Sequence, residues 1–330
     1  MLGKNSPIEL SPDTKPRLVV VIDTEEEFDW NAPADRAATG VSAMDSIYKV
    51  QDIFDRYGIK PCYVIDYPVA SKEQGYRALK AIYDDGRCEI GAHLHPWVNP
   101  PFDEEMKPQN TFPGNLSYEL ELQKLTQLKT KIEEVFGFSP SIYKAGRYGV
   151  GPNTTKILEQ LGFTIDLSLC PPVDYSAAGG PNFSQCHAQP FWFGANDRLL
   201  EIPVSGAFVG WGGALMNPLY NLAITFKKIK LPGIFSRLSL VDRLMLSPEG
   251  FSSKDHITLT NFLYKQGVRT FTWSFHSPTV VPGHTSYVQT EAQLKDFLNT
   301  FTTYFDYFFN ELGGEASTPT QLRDHLRGLQ

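Results

Sequence analysis

Short apolar runs alternate with segments of helical periodicity along the first half of the chain. Arg17–Ile22 is rich in β-branched residues and reads as a buried strand. Ser46–Arg56 carries an apolar stripe at Ile47, Val50, Ile53 and Phe54, and Gly58 follows as a stop, which predicts a helix. The alternation continues with a strand at Pro61–Ile65, a helix at Gly75–Tyr83 and a strand at Cys88–Ala92 that ends on two histidines. Leu116–Phe136 predicts a long helix with a mixed-charge outer face. Ser141–Ala145 predicts a strand, Asn153–Leu161 a helix closed by Gly162, and Phe163–Leu169 another strand. Strand–helix–strand spacing of this kind argues for an α/β fold, a parallel sheet covered by helices and able to close into a barrel.

The middle of the chain breaks the rhythm. Residues 171–250 are rich in Gly, Pro, Ser and aromatics, with short β-like pieces at Gln189–Phe193 and Leu199–Val204. They read as an insertion of loops and hairpins over one rim, a candidate lid. The core pattern resumes with a helix at Lys254–Lys265, a strand at Arg269–Phe275 and a helix at Glu291–Leu312 whose Phe and Tyr stripe suits packing on the sheet. Residues 1–16 are polar and proline-bearing and read as a flexible segment, leaving 17–330 as a single domain. There is no internal repeat and no low-complexity tract.

Composition narrows the partners. The 330 residues carry 30 basic and 37 acidic side chains, a formal charge of −7. No basic field offers itself to nucleic acid or anionic lipid, and a small-molecule or glycan substrate, neutral or cationic, is the easier partner. Lys227-Lys228-Ile229-Lys230 is basic but reads as a solvated surface. Cys62, Cys88, Cys170 and Cys186 form no Cys-x-x-Cys pair and read as free thiols of a reducing compartment. No stretch reaches the ~18 apolar residues of a spanning helix. The N-terminus shows no positive start followed by an apolar core, and the expected location is cytoplasmic.

The chemistry gathers where apolar strands give out. The run Leu18–Ile22 ends in Asp23-Thr24-Glu25-Glu26-Glu27. Residues i and i+2 of a strand share a face, so Asp23 and Glu25 point together at the rim. One such carboxylate can coordinate a cation while the other works as a base. His93 and His95 follow the same spacing, and imidazole with carboxylate suits zinc or another first-row divalent ion. Pro96 stops that strand, and Trp97 can wall the site and stack on a sugar or other flat ligand. Arg147, between Gly146 and Tyr148 after a strand, suits orienting a carboxylate, and Tyr148 is a candidate substrate contact. His276, directly after another strand, is a candidate general acid. Asp166 is a candidate to orient Arg147 or a histidine, and Asp174-Tyr175-Ser176 reads as a turn that could contact a ligand.

Taken in order, four pieces are familiar: Ile22-Asp23-Thr24-Glu25, Gly91-Ala92-His93-Leu94-His95, Ala145-Gly146-Arg147-Tyr148 and Trp273-Ser274-Phe275-His276-Ser277. The set resembles the polysaccharide deacetylase superfamily, the chitooligosaccharide-deacetylase-like carbohydrate esterases, and within it a subgroup with Asp-x-Glu in the first motif. The resemblance implies a distorted (β/α) barrel of about seven strands and a divalent metal, usually zinc. By position it implies Asp23 as catalytic base, Glu25 and His93 as metal ligands, Arg147 holding Asp23, and His276 as general acid. The family spaces its two histidines four positions apart; here position 97 is tryptophan, and His95 is the second ligand on strand geometry. Glu26 rivals Glu25 for the carboxylate.

The expected activity is metal-dependent hydrolysis of an amide C–N bond, with N-deacetylation of an amino-sugar-containing substrate leading. A hydrolase of small cyclic or linear amides is the alternative on the same site. A non-catalytic sugar-binding protein on a decayed scaffold is the third.

Overall fold

The computed structural model describes residues 5–210 and 242–329. Its strands, in chain order, are β1 (Asn5–Pro7), β2 (Arg17–Thr24), β3 (Cys62–Ile65), β4 (Glu89–Leu94), β5 (Ile142–Ala145), β6 (Ile165–Asp166), β7 (Phe191–Phe193), β8 (Leu199–Glu201), β9 (Gly206–Val209), β10 (Asp242–Met245), β11 (Thr270–His276) and β12 (Glu315–Ala316). Around the ring the order is β8-β6-β5-β4-β3-β2-β11, every neighbouring pair parallel. The seven-stranded parallel barrel expected from the sequence is therefore the observed architecture.

The ring closes through irregular backbone. After β8, Ile202 N donates to Asp166 O and Val204 N to Leu169 O, both at 2.9 Å. Ser205 then reaches β11: its hydroxyl accepts from Thr272 N at 2.9 Å, and its N–H donates to Thr272 O at 3.4 Å. Leu246 N bonds Ser205 O, and Ser274 N bonds Leu246 O, which fills the remaining edge of β11. A barrel with one seam made by loops is distorted because the ladder is interrupted there.

Strand alternation divides the apolar residues into two sets. Val19, Val21, Cys62, Val64, Ile142, Ile165, Leu200 and Ile202 form one cluster, capped by Trp192, Leu322 and Leu326. Their alternates, such as Val20, Ile22, Tyr63, Ile90 and Tyr143, pack with the helices. Asp23 continues the Val19–Val21 register and Lys144 that of Ile142, so both project with the inner set at the carboxyl end. Helices Tyr48–Arg56, Glu73–Asp84, Tyr118–Phe136, Thr154–Leu161, Ser253–Lys265 and Glu291–Asp306 cover the outside. The aromatic stripe of the last one lies on β11, with Phe301 at 4.4 Å and Phe305 at 5.1 Å from the Trp273 ring, so packing accounts for it.

Several elements differ from the sequence expectation. Asn5–Pro7, inside the segment expected to be flexible, pairs antiparallel with β7 and takes its free edge. Leu199–Glu201, expected within the insertion, is a barrel strand; β9 and β10 form the antiparallel pair of that region. The strand expected over Phe163–Leu169 narrows to Ile165–Asp166. The helix expected to run to Leu312 gives way to a π-turn at Tyr307–Glu311. Helices Tyr67–Ser71 and Pro319–Arg327, each started by a capping side chain, have no counterpart in the expected pattern. Lys227–Lys230 and much of the candidate lid lie outside the described residues. Among the described residues no helix is long and apolar enough to cross a membrane.

Candidate metal and catalytic centre

Register alone assembles most of the centre. On β11 and β2, His276 is the partner of Asp23; on β4 and β5, His93 is the partner of Lys144. Glu25 and His95 follow two residues beyond, where β2 and β4 run out at the mouth. Glycine is required at position 146, because any Cβ there would strike the Leu94 carbonyl and the His95 ring.

Glu25, His93 and His95 offer ligand atoms that all lie within 4.8 Å of one another. Glu25 Oε2 is 3.7 Å from His93 Nε2 and 3.4 Å from His95 Nε2. The far nitrogens are fixed. His93 Nδ1 lies 3.1 Å from the Lys144 carbonyl, which can only accept, so Nδ1 carries the hydrogen and Nε2 the lone pair. His95 Nδ1 sits 2.8 Å from Glu26 Oε2, and Glu26 Oε1 accepts from Trp97 Nε1 at 2.7 Å. Carboxylate and carbonyl partners of this kind orient metal-binding imidazoles. Glu26 N donates to Asp66 Oδ2 at 2.7 Å, and Asp66 Oδ1 caps the helix Tyr67–Ser71 through Val69 N. The tryptophan at position 97 stacks on His95, with ring centres 4.3 Å apart.

Electrostatics favours a cation. Burial, with Glu26, Asp23, Asp66 and Glu249 nearby, pushes the Glu25 carboxyl well above its ordinary range. Burial holds His93 well below the usual histidine value and brings His95 down to about 4, so both imidazoles are neutral and free to ligate. Glu25 Oε1 is buried with no hydrogen-bond partner. Two neutral imidazoles, a crowded carboxylate and an orphaned oxygen fit a divalent ion. A second grouping, Glu26, Asp66 and His95, is also close. Its members are already spent on one another, on Trp97 and on the Val69 cap.

Beside this cluster stands an acid–base pair. Asp23 Oδ1 accepts from Lys144 Nζ at 2.6 Å, and Asp23 Oδ2 is 3.6 Å from His276 Nε2. Burial alone would raise the Asp23 carboxyl, but the Lys144 charge, then His93 and His276, outweigh it and bring it down to about 2. Burial would lower His276; Glu249 outweighs it, and the histidine is raised. Glu249 Oε2 holds His276 Nδ1 at 2.7 Å, while its Oε1 accepts from the His276 N–H at 3.1 Å and from Thr279 Oγ1.

Arg147 does not hold Asp23. Arg147 and Tyr148 both take left-handed backbone, with φ of 54° and 57°. That turn sends the guanidinium to Thr111 Oγ1 and over the Phe112 ring at 4.3 Å. Lys144 fills the orienting role, because it lies on β5 in the inner register. Asp166 reaches neither Arg147 nor a histidine; its Oδ1 accepts from Ser168, on the helix-covered face beside Tyr143 and Glu201. Asp174 caps its own turn through Ser176 N at 2.8 Å.

Asp23, Glu25, His93, His95 and His276 all line one cavity of about 650 Å³, with Trp97, Arg147 and Tyr148 also in its wall. Lys144 and Glu249 are the functional residues that sequence reasoning missed. A lysine in the inward register of an apolar strand was a readable signal; Glu249, in the irregular stretch after β10, carried none.

No protein-family model matches the chain, and no curated protein does. Solved structures do match. One is a Mycobacterium smegmatis protein provisionally named a polysaccharide deacetylase, with a TM-score of 0.59 and 17% identity over 100% of this chain and 96% of that one. Another is Puue allantoinase, with a TM-score of 0.57 and 15% identity over 98% and 94% of the two chains. At such identities the likeness is one of fold.

Proposed function

We propose that the chain is a metal-dependent hydrolase of an amide C–N bond, and that it removes the acetyl group from an amino-sugar-containing substrate. The observation that carries this reading is the placement of Glu25, His93 and His95 around one point, beside Asp23 and His276. The four motif pieces that resemble polysaccharide deacetylases supply these same side chains. A divalent ion of the zinc type, held by Glu25, His93 and His95, would supply Lewis-acid polarisation of the acyl oxygen and make nearby water more acidic.

The remaining work falls to the protein. Asp23 is ionised through the neutral range and accepts the proton of the attacking water at Oδ2, the oxygen that Lys144 leaves free. Lys144 fixes the carboxylate and keeps it charged. His276, favoured in its protonated form by Glu249, donates Nε2–H to the departing nitrogen. Trp97 braces His95 through its stack and braces Glu26 through its indole N–H.

One observation favours the second reading, a small cyclic or linear amide. A cavity of about 650 Å³ has the size of a small-molecule pocket. The discriminating experiment incubates metal-supplemented protein with N-acetylated sugars and with ureides, and follows acetate released from the sugars and the new carboxylate formed when a ureide C–N bond opens. Acetate release from the sugars that stops on chelation is expected. Hydrolysis of neither class, or hydrolysis indifferent to chelator, contradicts the proposal.

A further inference from the structure

Two arginines line the same cavity without a carboxylate partner among the described residues. Arg147 is exposed and its guanidinium donates only to the neutral Thr111 hydroxyl; Arg243, on β10, is half-buried and its guanidinium has no hydrogen-bond partner among the described residues. Elsewhere, Arg17, Arg36, Arg77, Arg87 and Arg323 each pair with an acid, and Arg56 and Arg269 donate to backbone carbonyls. Arg147 and Arg243 differ from these in sharing one cavity lining.

Arg147 and Arg243 line this cavity together with Tyr148 and Tyr175. Tyr175 stacks on Tyr148 with ring centres 5.8 Å apart in the same lining, and the Arg147 guanidinium lies over the Phe112 ring. Arg147 and Tyr148 are held in consecutive left-handed conformations that non-glycine residues rarely adopt, so the fold retains strain to present this wall. The Trp30 indole nitrogen, in the same cavity lining, is buried with no hydrogen-bond partner, on a ring 4.5 Å from that of His276. The cavity is thus electrically divided, with Asp23 and Glu25 at the buried centre and cations in the Tyr175 wall. A guanidinium fork fits an oxyanion through paired hydrogen bonds, and cations in a low-dielectric cleft concentrate an anionic ligand there.

We propose that Arg147 and Arg243 form an oxyanion subsite, and that the substrate is an amide bearing a carboxylate or phosphate away from the scissile bond. The proposal rests on the hydrolase reading for its amide and on the arginine wall for its anion, and the two are tested separately. Kinetics on metal-supplemented protein compare N-acetylglucosamine with its 6-phosphate and with N-acetylmuramic acid, whose anion is a carboxylate. The acidic amides are expected to show a KM about tenfold lower than the neutral sugar, and whichever is lower identifies the anion. Arg147→Gln and Arg243→Gln are each expected to raise that KM about tenfold while kcat moves far less. Arg243→Lys, which keeps the charge without the fork, is expected to fall between. Binding of inorganic phosphate to metal-free protein, measured by calorimetry, is expected to disappear in the double Gln variant, with near-ultraviolet circular dichroism confirming its fold.

Phosphate binding that depends on the arginines, with no amide hydrolysed, supports the anion subsite and defeats the hydrolase reading. Amide hydrolysis without preference for the acidic sugars, or phosphate binding that survives in the double variant, overturns the subsite and leaves the hydrolase reading standing.

Discussion

The buried centre of the cavity and its Tyr175 wall are built on opposite terms. At the centre nearly every polar atom already has a protein partner: His93 and His95 through Nδ1, Asp23 through Lys144, His276 through Glu249. The atoms left open are Glu25 Oε1, Asp23 Oδ2 and the Nε2 atoms of His93 and His95, and these face the place where a ligand would sit. In the wall the cations of Arg147 and Arg243 have no counter-ion among the described residues. The difference teaches that the reacting groups are set before substrate arrives, whereas recognition waits for the substrate to complete it. Preorganised groups cost no rearrangement when charge develops, and that is where catalytic rate comes from.

The harshest way to break the comparison is to dismantle the centre. His93→Ala is expected to lose metal and activity together, beyond the ~10⁴-fold that a positioned base contributes alone. Elemental analysis beside a hydrolysis assay reads both, and full activity in the variant contradicts the assignment. Asp23→Asn removes the base and leaves the ligands in place, so it is expected to keep its metal and lose ~10²–10⁴-fold in kcat.

Milder changes act through pH. His276 is raised by Glu249, so its acid form is present at low pH and disappears as pH rises through that raised value. Glu249→Gln removes the cause, and the alkaline limb of kcat/KM is expected to move to lower pH. A limb that stays put dissociates Glu249 from His276. Asp23, at about 2, works as a base at any pH above that. In Lys144→Met burial acts on it with less opposition, the carboxyl rises, and the acidic limb is expected to move to higher pH. The same limb in Arg147→Gln is expected to stay, because Arg147 does not touch Asp23.

How much of this was legible follows from range. Six of the seven barrel strands announced themselves through local apolar runs, β8 being hidden in the irregular stretch taken for an insertion, and Asp23, His93 and His276 stood out through their place at strand ends. A parallel register then brings such ends together without further information. Arg147 was misread because position after a strand says nothing about the sign of φ, and the left-handed turn carries its side chain away. Glu249 was invisible because its partner is 27 residues later, in a segment without period. The β1–β7 pairing joins Ser6 to Trp192, and such long-range antiparallel contacts leave no local mark.

The central claim is that one cation sits among Glu25, His93 and His95. Anomalous diffraction from a crystal grown with zinc tests it most directly. The account predicts a single peak at about 2.0–2.2 Å from the Glu25 carboxylate and from both Nε2 atoms. A peak seated instead among Glu26, Asp66 and the other face of His95, or no peak at all, would contradict it.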